Sequence, residues 1–230
     1  MSTRRPVRVS AMHAAQEALG ARFREEGDWR VPETYTSVVE EAARARSGIG
    51  LADASACGKL SVRGAGAATL LGKAAGVDLE PGTAARVRVN GAAALACRLA
   101  EDEVLVLAPI ADTPAVTGML ARLATGAGCT HLTDLTSAYA AVDLLGPQTR
   151  DLLARLSPLD LDGVPTLGVA QGELARVHAI LVRLGRPPGF RVLVAREYGA
   201  FVWEALLDAG HDLGLTPIGV AARTLLESEG

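Results

Sequence analysis

LSVRGAGAATLLGKAAGVDLEPG (Leu60–Gly82) returns about 80 residues later as VDLLGPQTRDLLARLSPLDLDGVPTLG (Val142–Gly168), and this near-repetition decides the fold. Each copy reads as an apolar strand, a glycine, a helix with a Leu-Leu pair, then Asp-Leu, Pro and Gly. Alternating apolar residues follow in both, Ala94–Leu99 with Val104–Leu107 and Ala179–Leu184 with Phe190–Val194, which predicts a hairpin in each copy. A helix is expected after each hairpin, over Pro114–Ala124 and Tyr198–Ala209. Two strand–helix–strand–strand–helix units of this kind predict an α+β globule of duplicated halves, with pseudo-repeats over about 60–125 and 142–210 and a cleft where the halves meet.

Outside the repeats, residues 1–9 read as a disordered basic tail, Val9–Arg24 as a helix, and Gly27–Tyr35 (GDWRVPETY) as a loop set by Gly and Pro. A second helix is expected over Thr36–Ser47, capped by Thr36 or Ser37, with Glu40 and Glu41 at its positive end. Ile49–Val62 reads as a strand broken by a turn. His131–Ala138 joins the repeats, and Thr216–Glu229 closes the chain as a helix opened by Pro217.

With 230 residues, 49% of them hydrophobic, the chain can bury a large core. Its net charge of −3 and 3% aromatic content argue against a nucleic-acid surface, which needs clustered cations and stacking rings. Cys57, Cys97 and Cys129 are odd in number and far apart, so neither a disulfide framework nor a CxxC pair is expected. His13, His131, His178 and His211 lack ligand spacing, and no metal site is expected. The absence of an uncharged apolar run of membrane-spanning length and of a signal-peptide core predicts a soluble, cytoplasmic protein. RGAGAAT (Arg63–Thr69) lacks the third glycine of a dinucleotide fingerprint and reads as a strand-to-helix turn.

Four segments, in order, resemble the folate-binding module of the glycine-cleavage T-protein (aminomethyltransferase) family. They are His13–Gly64, Leu132–Leu156, Pro187–Val194 with Phe201–Gly210, and Gly214–Gly230, whose GLTPIGVAARTLLESEG is similar to the family's closing helix. Ser157–Leu161 and the stretch through Val194 also resemble the gamma subunit of heterotetrameric sarcosine oxidases. The resemblance implies a single module over residues 1–230, with duplicated ferredoxin-like halves around a central hole that takes tetrahydrofolate or a 5-substituted folate, and without the family's C-terminal barrel. A homodimer through the closing helix, or a flavoprotein partner, would then cover the open side.

Folate one-carbon chemistry of this type asks for a carboxylate near N5 of the pterin, a second on the aminopyrimidine edge, and basic groups for the glutamate tail. This chain carries Ala92 and Ala93 where the family has acids, and its LGRPPGFR turn offers Arg186 and Arg191 in place of the second carboxylate. The catalytic candidates are therefore Asp53 in the LADAS turn, Glu227 and Glu229. Asp53 reads alternatively as an Asx-turn carboxylate and the two glutamates as a solvated helix face. Cys57, Trp29, Tyr139, Arg186, Arg191 and Arg223 are the candidate folate-binding residues, with packing as the alternative for Cys57 and Trp29 and a turn role for the neighbouring Asp134.

The expectation is thus a tetrahydrofolate-binding aminomethyl- or methyltransferase-like protein with a diverged site, acting on a small amine or methylated substrate. The alternative is a non-catalytic, gamma-like subunit of a heteromeric amine oxidase or demethylase. An accessory protein of iron–sulfur repair is disfavoured, because the Cys-containing motif of that group is absent.

Overall fold

The computed structural model describes residues 7–126 and 130–229; residues 1–6, 127–129 (Cys129 among them) and Gly230 lie outside this range. Helix α1 (His13–Ala18) is much shorter than the Val9–Arg24 expected, because Gly20 at φ 83° turns the chain and the next residues form an extended hairpin, β1 (Arg22–Glu26) with β2 (Trp29–Thr34). Gly27, at φ 62°, makes the hairpin turn, a conformation that suits glycine. The expected loop is thus a strand that buries Trp29 and Val31 on one side, and Arg8, read as tail, bridges to Trp29.

Helix α2 (Val38–Ser47) starts as the sequence predicts: Ser37 Oγ accepts from the Glu40 amide. Glu41 is buried without a cationic partner among the described residues, and its carboxylate instead accepts from the amides of Tyr35, Thr36 and Gly219, which ties the helix start to the far end of the chain.

The chain continues through β3 (Ile49–Asp53), β4 (Gly58–Arg63), α3 (Ala67–Ala75), β5 (Thr83–Val89), β6 (Ala92–Ala100), β7 (Glu103–Ala108), α4 (Thr113–Ala124) and β8 (His131–Asp134). It then forms β9 (Tyr139–Leu145), α5 (Thr149–Leu156), β10 (Val169–Leu174), β11 (Val177–Leu184), β12 (Gly189–Ala195), α6 (Gly199–Gly210), β13 (Leu215–Ile218) and α7 (Val220–Ser228). Pro217 therefore sits inside an edge strand rather than opening the last helix, a position where a missing amide costs no ladder bond.

Two large sheets result, ordered β5-β6-β7-β4-β8 and β10-β11-β12-β9-β3-β13. The first four strands of each share one order and an all-antiparallel pattern, and only β13 runs parallel to its neighbour β3. The hairpins expected from alternation are β6–β7 and β11–β12, and each sheet adds an outer strand, β5 or β10, that the reading had not included. The two outer edges touch, since Ala84 N donates to Leu167 O and Val169 N to Gly82 O.

Apolar side chains form three layers of core. Helices α3 and α4 cover the outer face of the first sheet, and α5 and α6 that of the second, around Trp203. Leu95, Cys97, Leu105 and Leu107 meet Leu145, Ile180, Val182 and Leu193 between the sheets, closed at one end by Ala42, Ala222 and Leu226 of α2 and α7. Burial between facing sheets pushes the Cys97 thiol up to about 12. No helix among the described residues is long and apolar enough to cross a membrane.

Candidate functional site

Between the sheets the inner core stops short and leaves a cavity of about 660 Å³. Leu95 and Leu107 line it from the first sheet, Leu145 and Leu184 from the second, and Glu227 from α7. Five guanidinium groups surround this apolar middle: Arg86 and Arg88 from β5, Arg186 before β12, Arg191 within it, and Arg223 on α7.

The charge at its base is organised by one carboxylate. Asp143, on β9 and 1% exposed, lies opposite Arg191 in the ladder and accepts from it twice, at 2.7 Å to each oxygen. Arg223 approaches the same carboxylate at 3.3 Å and reaches Glu227, one turn along α7, at 3.0 Å. Burial alone would raise the pKa of Asp143, but the two guanidinium groups outweigh it and hold the carboxyl below its ordinary value. Arg86 and Arg88 donate to the backbone carbonyls of Arg186 and Gly91 and form no ion pair among the described residues, so this side of the cavity suits an anion.

The turn after β3 forms the adjoining wall. Lys59, fully buried, donates through Nζ to the carbonyls of Ser55 at 2.7 Å, Cys57 at 2.9 Å and Thr136 at 3.3 Å, and burial pulls its pKa down. Asp53 Oδ1 accepts from Ser55 N and Asp134 Oδ1 from Thr136 N, both at 2.8 Å, which is Asx-turn geometry. A smaller chamber of about 160 Å³ lies behind Cys57, lined by Asp53 and Glu26, and it shares Cys57, Pro109 and Arg223 with the main cavity.

The residues singled out in the sequence thus separate into groups. Cys57, Arg186, Arg191, Arg223 and Glu227 line the main cavity, and Asp53 faces the side chamber. Trp29 packs with Val31 and Ala56, and Tyr139 against the core between the sheets; neither lines either space. Glu229 is displaced from the candidate site: Arg46 holds it at 2.6 Å on the surface of α2, because α7 turns that position outward. Ala93 lines the cavity while Ala92 packs in the outer core, as strand alternation requires. Asp112 Oδ2 accepts from the backbone amide of Ala93 at 2.9 Å but does not itself line the cavity.

Sequence reading missed Arg86, Arg88, Asp143, Lys59 and Asp112. The alternation Arg86-Val87-Arg88 before Asn90-Gly91 is a strand-and-turn signal that would have placed the first two; nothing local marks Asp143 as the partner of Arg191, 48 residues away.

Comparison with known proteins places this arrangement. The family model of the GCVT N-terminal domain matches residues 12–230. The chain belongs to that family. It is 32% identical to an aminomethyltransferase of Streptomyces coelicolor, with 97% of this chain and 63% of the relative covered, and 30% identical to one from Saccharopolyspora erythraea, with 96% and 63% covered. The chain therefore spans less than two thirds of the length of these curated relatives. Its fold is similar to that of the glycine cleavage system aminomethyltransferase T of Bartonella henselae, with a TM-score of 0.86 at 24% identity over 97% of this chain and 62% of the other. A chain of the heterotetrameric sarcosine oxidase of Corynebacterium sp. U-96 also matches, with a TM-score of 0.63 at 21% identity over 78% of this chain and 93% of that one. Among the described residues no group of three His, Cys, Asp or Glu is placed to hold a metal ion.

Proposed function

We propose that this chain is a tetrahydrofolate-binding, one-carbon transferase-like member of the GCVT family with a diverged active site, and that residues 1–230 form one module of two duplicated, ferredoxin-like halves. The observation that carries this reading is the cavity between the sheets, whose apolar middle and arginine-lined rim suit a flat aromatic body with a dicarboxylate tail. Its volume lies in the range of ordinary ligand sites. Arg186, Arg191 and Arg223, joined by Arg86 and Arg88, would hold the tail. Cys57 and the alanine-lined face of β6 would contact the ring.

The acid side fits less closely. Ala93 cannot accept a proton, so the work of a carboxylate falls to Asp53 or Glu227, and Glu229 has no part in it. When bound, the folate supplies the nucleophilic nitrogen that carries the one-carbon unit. The protein's contribution is to orient that ring and to keep water from it. The folate would be unsubstituted or 5-substituted, the second substrate a small amine or methylated compound, and the compartment the cytoplasm.

Ala93 favours one second reading, a non-catalytic subunit of a heteromeric amine oxidase or demethylase that keeps the folate-shaped cavity without the chemistry. Calorimetric titration with tetrahydrofolate and 5-formyltetrahydrofolate tests the first. Micromolar binding, weakened roughly tenfold or more in Arg223→Ala, is expected from loss of a charged contact. No binding at millimolar ligand would overturn it and turn attention to a flavoprotein partner, sought by co-purification.

A further inference from the structure

The mouth and the base of the main cavity differ in what they leave open to a ligand. Arg86 and Arg88 are exposed at the mouth, whereas Arg191 and Arg223 lie deep, their side chains 11% and 22% exposed. Charge at the base is balanced, because Asp143 and Glu227 face those two guanidinium groups. Hydrogen bonding is not. Asp143 engages Arg191 through Nε and Nη2 only, and Arg191 Nη1 makes no hydrogen bond among the described residues.

The sheet holds Arg191 in this setting. In the row across the strands its neighbours are Val182 on β11, Asp143 on β9 and, beyond that, Ala52 on β3, so the carboxylate is its one polar neighbour there. Two parallel hydrogen bonds at 2.7 Å fix the guanidinium plane from one edge. Around it Leu95, Leu107, Leu145 and Leu184 offer no polar side chain, and Glu227, the one carboxylate among the described residues lining the cavity, is engaged by Arg223. A donor left open in such a wall calls for an acceptor on the ligand. Since the base is already neutral, a neutral oxygen suits it better than a further buried charge, which would go uncompensated.

We propose that Arg191 selects the ring edge of the folate, its Nη1 donating to the 4-oxo oxygen of the pterin, with Asp143 as the positioning residue that aims it. The proposal rests on the folate reading of the main cavity and, within it, moves Arg191 from the tail to the ring, leaving the tail to the other four arginines. The ligand must then carry an oxo group at position 4. A 4-amino group in its place would set N–H against N–H and leave both donors unpaired, and sites built around a hydrogen bond discriminate most sharply against analogues that cannot make it.

The test compares calorimetric affinities for tetrahydrofolate and 4-amino-4-deoxytetrahydrofolate in the wild type, in Asp143→Asn and in the double variant Asp143→Ser with Arg191→Leu. In the wild type tetrahydrofolate should bind roughly tenfold or more tightly than the 4-amino compound, the effect of one hydrogen bond from a charged donor. The ratio should fall in Asp143→Asn, because an amide can accept only one of the two bonds that aim Arg191, and approach unity in the double variant, which has no guanidinium there. A purely structural role for the pair would lower both affinities together and leave the ratio unchanged. Equal affinities in the wild type, or a ratio that persists in the double variant, would overturn the selection by Arg191 while folate binding stands. A ratio kept in Asp143→Asn and lost in the double variant would overturn the positioning role of Asp143 alone. Should Asp143→Asn fail to fold, the wild type and the charge-neutral double variant still decide the role of Arg191. No binding of either compound at millimolar concentration would remove the folate reading itself, and the proposal with it.

Discussion

Strand β4 and strand β9 occupy the same place in their sheets, each followed by a positive-φ glycine, Gly64 or Gly146, yet they seat opposite chemistry at one position. Ser61 on β4 faces Leu105 across the ladder, and its hydroxyl has no partner among the described residues. Asp143, 82 residues later, faces Arg191 and gathers Arg223 as well. A shared strand order therefore supplies two walls, and only one of them carries the paired charges. The first sheet contributes small apolar side chains on β6 and the two outer arginines of β5.

Removing the charge from the second wall should have the largest effect. Asp143→Ala would leave two guanidinium groups facing each other in a buried space and cost about 3–5 kcal/mol in urea unfolding. Ser61→Ala, at the matching position, should be within about 0.5 kcal/mol of the wild type, since it removes a group that is already unpaired. Equal losses at both positions would break the comparison. The double variant Asp143→Ser with Arg191→Leu, which copies the first wall onto the second, should recover most of the stability and still bind tetrahydrofolate poorly.

The same pairing sets an acid limb. Asp143 titrates below its unfolded value, so the pair's contribution is complete above about pH 4 and is lost as the pH falls through the folded pKa. Stability measured between pH 6 and 2 should fall less steeply in Asp143→Asn than in the wild type, whatever its absolute value.

Much of the architecture was legible because it rests on local signals. The Leu-Leu helices, the two hairpins and the Ser37 cap appear where residue pattern and glycine placed them. The failures have physical causes. The segment Arg22–Glu26 is polar and pairs only with β2, so its strand character comes from a partner rather than from its own periodicity. The β10–β11 turn uses Ala175 and Arg176 at φ 48° and 67°, residues that announce no turn, so β10 went unread. Family likeness pointed to Arg191 and Arg223, but the carboxylate that fixes them is a single acid in an apolar strand. Glu229 was misplaced for the converse reason: two residues along a helical path from Glu227 is a rotation of about 200°, enough to move a carboxylate from a cavity to the surface.

A smaller effect is expected at the turn that both walls share. Lys59 has Ala141 as its counterpart on β9, and the two are linked through Ser55, whose hydroxyl accepts from Ala141 N at 3.1 Å. Lys59→Met keeps the length and the apolar stem but leaves the carbonyls of Ser55, Cys57 and Thr136 without their donor, at a cost of about 1–3 kcal/mol. The loosened turn should also expose the Cys57 thiol, seen as faster alkylation at that residue than in the wild type.

The smallest effect separates the cavity from the surface. Glu227 on α7 and Glu229 just past its end lie two residues apart, one lining the cavity beside Arg223 and the other paired with Arg46 in solvent. An exposed pair of this kind contributes little, so Glu229→Gln should change unfolding stability by no more than about 0.5 kcal/mol and leave tetrahydrofolate affinity as it was. Glu227→Gln removes one of the two carboxylates that offset Arg223 and makes the cavity more positive. It should tighten binding of the anionic folate tail by about threefold and weaken it again at high salt. If Glu229→Gln changed the affinity and Glu227→Gln did not, the helix would be rotated from the orientation described, and the charge balance of the cavity would have to be redrawn around the outer glutamate.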